Sequence, residues 1–363
     1  MKRFSFVLIF VCIMITQTAW GAGRAHVTSI AKDPYLSALV VDADTGKVLF
    51  ADHAEVAVYP ASVLKLMNLL VILDRIKAGG LRLDEMVPVT KEAAKTGGSQ
   101  VYLDPREQFP VEELLYALMV QSANDAAVAL ATHIAGSKEG FVSLMNQRAA
   151  ELGMKDTHFY SVHGLPPSEG QKPDVTTAHD LSILCRELAR RPEALKYTST
   201  KERGFREGKF IMRNHNHLLG EIEGCDGFKT GFFEAAGFSM AVTAKRGGVR
   251  IIAIVMGSMN RKVRDAKASE LLAKGFILEP PKPTPATVIK TPGSAPEKSE
   301  VAVSTAPQAA APPEKKKDSA PSSEGGWSKF FLGLGVGLVL FGILAIFLSR
   351  KGRGDTSKYT RHS

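Results

Sequence analysis

Ser62 and Lys65 stand three residues apart, Ser122 and Asn124 two apart, and Lys229, Thr230 and Gly231 are consecutive. A serine hydroxyl is a poor nucleophile at its own pKa and needs a base beside it. If Ser62 opens a helix, Lys65 lies one turn on along the same face. Leu64, Leu66 and Leu69 surround that amine with apolar side chains. Desolvation disfavours the ammonium form, which suits Lys65 to accept the Ser62 proton. The start of a helix also offers free backbone N–H groups and a positive dipole end to an acyl-oxygen anion. This is the chemistry of acyl transfer through a serine ester. It calls for no metal and no cofactor.

The other two clusters fit the same chemistry. Ser122 and Asn124 fall in a short joint between helical patterns, where extended spacing points both side chains one way. A second hydroxyl there can relay a proton between Lys65 and a leaving amine, and Asn124 can donate toward Lys65 or toward a substrate amide. Lys229-Thr230-Gly231 precedes a strand-like run. A strand edge can pair with a peptide, and Gly231 lets substrate backbone come close. Lys229 and Thr230 offer a charge and a hydroxyl to a free carboxylate. Each motif alone is weak, as Ser29-Ile30-Ala31-Lys32, Lys95-Thr96-Gly97 and Ser258-Met259-Asn260 show. Only Ser62, Ser122 and Lys229 combine the right order with a suitable setting.

The elements that must position these residues read as mixed α and β from about residue 33 to 279. Leu36–Asp42 and Lys47–Ala51 are strand-like around the turn residues Asp44-Thr45-Gly46. Ser62–Lys77 is helical and stops at Gly79-Gly80. Val111–Val120, Asp125–Ala135 and Ala178–Arg190 are further helical patterns, with Asp125 expected as a cap. Phe238–Ala244 and Val249–Gly257 are apolar strands. A last helix is expected from about Arg264 to Lys274, with Gly275 as its C-cap. The fold class is therefore α+β.

Both ends differ in kind. Residues 1–21 have the form of a secretory signal: Lys2 and Arg3, an apolar run from Phe4 to Ile15, then small residues around Ala19-Trp20-Gly21. Residues 280–326 are rich in Pro, Ala, Ser, Lys and Glu and are expected to form a disordered linker. Phe330–Leu348 is uncharged and apolar, about 28 Å long as a helix, enough to cross a bilayer. Arg350, Lys351 and Arg353 follow, so the tail 349–363 is expected in the cytoplasm and the folded part outside. Gly333 and Gly337 have the spacing that lets two membrane helices approach as a homodimer. The formal charge of +9 sits largely in the linker and tail, where it reads as membrane-flanking charge. No nucleic-acid motif accompanies it. Of three cysteines, Cys12 lies in the signal segment; Cys185 and Cys225 are no disulfide framework, and no Cys/His spacing marks a metal site.

Together the three motifs resemble those of the low-molecular-mass penicillin-binding proteins, the D-alanyl-D-alanine carboxypeptidase family. The likeness runs from about Pro34 to Phe276. It includes Asp42-Ala43-Asp44-Thr45-Gly46-Lys47, Asn124-Asp125-Ala126-Ala127, His163-Gly164-Leu165, Thr177-Ala178-His179-Asp180-Leu181 and Asp226-Gly227-Phe228. The resemblance implies a β-lactamase/transpeptidase-like fold, an antiparallel sheet with a helical cluster. It implies that Ser62 is acylated, that Lys65 is its base and that Ser122 and Asn124 complete the relay. Lys229 and Thr230 would bind the terminal carboxylate of a peptidoglycan stem peptide ending in D-alanyl-D-alanine, with Arg264 nearby. The backbone N–H groups of Ser62 and Phe232 would form the oxyanion hole, and β-lactams would be covalent inhibitors. A D,D-endopeptidase, a β-lactamase or a non-catalytic wall-binding protein on the same fold are the alternatives. Phe232-Phe233, His179 and Ser161-Val162 depart from the family's usual residues. The linker stands where many relatives carry a second, β-rich domain.

Overall fold

The computed structural model describes residues 34–280. The expected signal segment, linker, membrane span, Gly333/Gly337 face and tail lie outside the described residues.

The chain opens with β1 (Ser37–Asp42) and β2 (Val48–Asp52), joined by a turn in which Asp42 Oδ1 accepts from the Thr45 backbone N–H and hydroxyl, both at 2.7 Å. A 3-10 turn, Ala61–Leu64, leads into α1 (Lys65–Lys77). After β3 (Met86–Pro88), α2 (Lys91–Ala94) and β4 (Gln108–Pro110) come α3 (Val111–Tyr116), α4 (Asn124–Ala135) and α5 (Lys138–Leu152). The chain continues through α6 (Ala178–Ala189), α7 (Pro192–Thr198), β5 (Glu202–Phe205) and β6 (Phe210–Arg213). It ends with β7 (Cys225–Phe233), β8 (Gly237–Arg246), β9 (Val249–Ser258) and α8 (Arg261–Leu278).

The main sheet has the antiparallel order β2-β1-β9-β8-β7. It joins the two ends of the folded region, and β7 is an edge. Alternation along the strands separates two apolar layers. Leu39, Val41, Ile252, Ile254 and Met256 face the helical cluster, while Ala38, Val40, Ile251, Ala253 and Val255 face α8. The sheet is thus covered on both sides. β1 and β9 accordingly read as near-continuous apolar runs rather than as alternating ones.

Several boundaries differ from those expected. Lys229-Thr230-Gly231 lies inside β7, not ahead of a strand. α8 begins at Arg261, where the Asn260 side chain accepts from Val263 N–H at 2.9 Å, and runs through Gly275 to Leu278. Gly275 is not a C-cap: a Cβ there would come 2.5 Å from Ile251, so its small size serves helix–sheet contact. Asp125 is not the cap of α4, whose N-cap is Ala123. Its carboxylate instead accepts from the N–H groups of Val101, Leu103 and Ala126 and fixes the loop after α2. Cys185 is buried on the helical-cluster side of the sheet and Cys225 is half-buried against the other apolar layer; both thiols are free.

Candidate active site

Four segments converge on Ser62. The 3-10 turn that carries it is entered through Ala61, whose φ of 47° is left-handed. Lys65 follows as the first residue of α1, fully buried, with its Nζ 2.8 Å from Ser62 Oγ. Two carbonyl-type oxygens hold the same nitrogen: Asn124 Oδ1 at 2.7 Å and the His163 backbone oxygen at 2.8 Å. Neither can donate. A neutral amine with two N–H bonds committed to them has its lone pair free for the Ser62 hydroxyl. Burial, followed by the nearby Lys229 charge, pushes the Lys65 ammonium well below its ordinary pKa; Asp125 and Asp174 oppose the shift. The sequence-level expectation of a base one turn from the nucleophile therefore has its geometry.

The second segment is the joint between α3 and α4. A π turn over Ala117–Gln121 ends at Ser122 in a left-handed conformation, φ 60°. Such turns concentrate where a side chain must be re-aimed, and a left-handed non-glycine residue is costly elsewhere. Ser122 and Ser62 line one cavity of about 310 Å³. Asn124 is used on both ends: besides accepting from Lys65, its Nδ2 donates to the Gly97 backbone oxygen at 2.7 Å. Gly97, the last residue of a match read from sequence as chance, thus braces the site through its backbone oxygen alone.

The third segment, Ser161–Leu165, was not identified as functional from the sequence. His163 contributes its carbonyl; its Nδ1 accepts from Leu165 N–H at 3.2 Å, and burial lowers its pKa to about 4. Buried Asp174 shapes this segment by accepting from Tyr160 N–H, Ser161 N–H and Ser161 Oγ, while Ser161 Oγ accepts from Gly164 N–H at 2.9 Å. Ser161, a departure from the family's usual residue, is therefore a strut. Asn68 on α1 adds a second by donating to the Val162 oxygen at 2.8 Å. Gly164 has φ +72°, and a Cβ there would fall 2.2 Å from the Ala61 oxygen and 3.0 Å from Ser62 N. Gly164→Ala should push the segment off Ser62. We expect a loss of about 1–3 kcal/mol in a denaturant melt and slower acylation by a fluorescent penicillin.

The fourth segment is β7. A Cβ on Gly231 would lie 2.7 Å from the Pro60 oxygen and 3.0 Å from Ser62 N, so glycine lets the edge strand close on the nucleophile turn. Thr230, Gly231 and Phe232 line the catalytic cavity together with Arg264. Phe232 is 53% exposed and stacks on Phe238, with ring centroids 4.0 Å apart. Lys229 does not line that cavity. It is buried, donates to the Thr230 oxygen at 3.1 Å, and is pushed down to about 7 by burial and by Arg264. Arg264 is buried and held by Asp265. His215, His217 and Arg261 also line this end, where Arg261 adds a second guanidinium to that of Arg264 and burial lowers the His215 pKa to about 4; the sequence did not reveal these three. Among the described residues lining this cavity there is no carboxylate. Such a field suits an anion at the end of a peptide.

Known proteins resemble this chain in sequence and in fold. The family model described as D-alanyl-D-alanine carboxypeptidase matches residues 26–260. D-alanyl-D-alanine carboxypeptidase DacF of Bacillus subtilis is 35% identical over 281 residues, covering 76% of this chain and 71% of the relative. DacA of Escherichia coli is 36% identical over 247 residues, and the match spans 66% of this chain and 60% of that protein. Penicillin-binding protein D2 of Listeria monocytogenes, solved in an ampicillin-bound form, superposes with a TM-score of 0.61 at 32% identity, over 67% of this chain and 97% of that one. Penicillin binding protein 5 of Haemophilus influenzae gives a TM-score of 0.64 at 32% identity, over 68% and 72%. With its serine–lysine pair, its edge strand and a family match over most of the folded region, the chain belongs to the D-alanyl-D-alanine carboxypeptidase family.

Proposed function

We propose that this chain is a serine-type carboxypeptidase that removes the terminal D-alanine from peptidoglycan stem peptides through an acyl-enzyme on Ser62. The observation that carries the reading is the 2.8 Å contact between Ser62 Oγ and Lys65 Nζ, with the other two Lys65 contacts taken up by Asn124 and His163. In the first step Ser62 Oγ bonds to the carbonyl carbon of the penultimate D-alanine and its proton passes to Lys65. The C–N bond then breaks, and the leaving amine takes a proton by way of Ser122. Water hydrolyses the ester by the reverse relay and frees Ser62. The peptide lies along the β7 edge by strand addition. Thr230, Arg264 and the charge of Lys229 hold its terminal carboxylate. The N–H groups of Ser62 and Phe232 receive the developing oxyanion.

A β-lactam offers the same cavity a strained amide with a carboxylate, and we take β-lactams as covalent inhibitors. The Listeria relative solved with ampicillin supports this. The signal-like residues 1–21 and the apolar run 330–348 support a location on the outer side of the cytoplasmic membrane, held by one span. Gly333 and Gly337 are a candidate dimer contact within that span.

The purified chain should release one D-alanine per molecule of diacetyl-L-lysyl-D-alanyl-D-alanine and none from the peptide ending in L-alanine. Intact spheroplasts should process the same added peptide, because it cannot cross the membrane. Absence of D-alanine release from the purified chain would refute the activity. Release only after lysis would refute the location.

A further inference from the structure

We propose that the polar cleft beside the catalytic cavity is a subsite for a second carboxylate, carried by the substrate peptide upstream of the scissile bond. The inference rests on the carboxypeptidase reading and extends it to substrate class. The cleft has a volume of about 810 Å³, against about 310 Å³ for the catalytic cavity. The loop 97–99 borders both and forms a ridge between them. Gly97 lines the cleft and Ser99, two residues on, lines the catalytic cavity. His163 and Leu165 form another part of the cleft wall. The ridge is tied to the catalytic centre: Gly97 oxygen receives Asn124 Nδ2 and His163 oxygen receives Lys65 Nζ. Gly98 abuts both Asn124 and Leu165.

The charge of the cleft favours an anion. Lys91, Lys95 and Lys138 line it against Glu92 and Glu139. Lys138 is committed to Glu92 at 2.7 Å. Lys91 and Lys95 are exposed and have no carboxylate partner among the described residues. Lys172 Nζ lies 5.9 Å from the ring centroid of Tyr160, which lines the cleft. Thr96, Ser168 and Gln171 add donors and acceptors.

A peptide held by its terminal carboxylate at the cationic end of the catalytic cavity must send its upstream residues elsewhere. At about 3.3 Å per extended residue, a group two or three residues before the scissile bond lies about 7–10 Å away from it. A γ-linked D-glutamate in that position carries a free α-carboxylate. Two lysines without partners, at partly screened surface positions, give a preference of about fivefold to tenfold for that group at low salt.

The test compares two pentapeptides on the full chain, N-acetyl-L-alanyl-γ-D-glutamyl-L-lysyl-D-alanyl-D-alanine and its α-amide twin. The wild type should show kcat/KM about fivefold to tenfold higher for the carboxylate form, fading at high salt. The double variant Lys91→Glu with Lys95→Glu should lose or invert that preference. It should keep kcat/KM for diacetyl-L-lysyl-D-alanyl-D-alanine, and acylation by penicillin, within twofold. Equal rates for the two pentapeptides in the wild type, or a variant that slows all substrates alike, would overturn the subsite. A chain that neither takes penicillin nor cleaves any peptide would fail the carboxypeptidase reading itself, and is told apart by those controls.

Discussion

Replacing Lys65 by alanine should slow acylation of Ser62 by about a thousandfold or more, because nucleophile and base fail as a unit. Removal of the amine strands the Ser62 proton. It also leaves Asn124 Oδ1 and the His163 oxygen without the donor they share. Lys65→Arg should not restore the rate, since a guanidinium cannot give up its proton at working pH. The variant's fold is checked by its melting curve. Stopped-flow acylation with a fluorescent penicillin reads the rate. The wild type should also show an acid limb whose apparent pKa lies well below the 10.5 of an ordinary lysine, since burial lowers it. The sign is fixed by the role. Above the lowered pKa the amine is neutral and can accept the proton; below it the amine is charged and the rate falls. A Lys65→Ala rate within tenfold of wild type would mean that another group takes the proton.

The parts of the site that were legible from sequence are those held by short-range geometry. Ser62 and Lys65 are three residues apart on one helical start, and Ser122 and Asn124 share one short joint, so spacing alone brings each pair together. Strands β1, β8 and β9 announced themselves as apolar runs beside turn residues. The remaining features depend on groups that no side-chain pattern marks. Lys65 meets the His163 backbone oxygen across 98 residues of chain, and Asn124 meets the Gly97 oxygen across 27. Any residue type carries a carbonyl, so neither partner had a signature. Asp174 shows the same limit. It is a lone acidic residue in a polar stretch, yet it is buried, and desolvation raises its pKa against the hydrogen bonds that shape the Ser161–Leu165 segment.

Two boundary errors have related causes. Gly275 invited a C-cap reading because glycine ends helices by adopting positive φ. Here it serves close contact with Ile251, which requires only the absence of a Cβ. Lys229-Thr230-Gly231 looked like the approach to a strand because a buried lysine and a glycine are poor strand residues. Both lie within β7, Lys229 buried and Gly231 where a Cβ would block the approach of Pro60 and Ser62. Local preference lost to function at these positions. The decoy Ser258-Met259-Asn260 resolves in the opposite sense. Ser258 ends β9 and Asn260 caps α8, so the match has an ordinary structural cause.

Ser62→Ala should abolish D-alanine release and covalent capture of penicillin while leaving the fold intact, since Ser62 is only half-buried and its loss removes one hydroxyl. Lys65 would keep Asn124 and the His163 oxygen as partners, so the surrounding site has little reason to collapse. The residual rate should be far below that of the wild type, because Ser62 is the hydroxyl held at 2.8 Å from the Lys65 amine. Ser122 lines the same cavity, yet no contact places it against Lys65 as Ser62 is placed.

Intact-mass measurement after incubation with benzylpenicillin puts this most directly. Opening of the lactam expels nothing, so the wild-type chain should gain the full mass of one penicillin, and peptide mapping should place it on Ser62. The Ser62→Ala chain, folded by its melting curve, should gain nothing. An adduct that persists on that variant, or one that maps to another residue in the wild type, would contradict the assignment of Ser62 as the nucleophile.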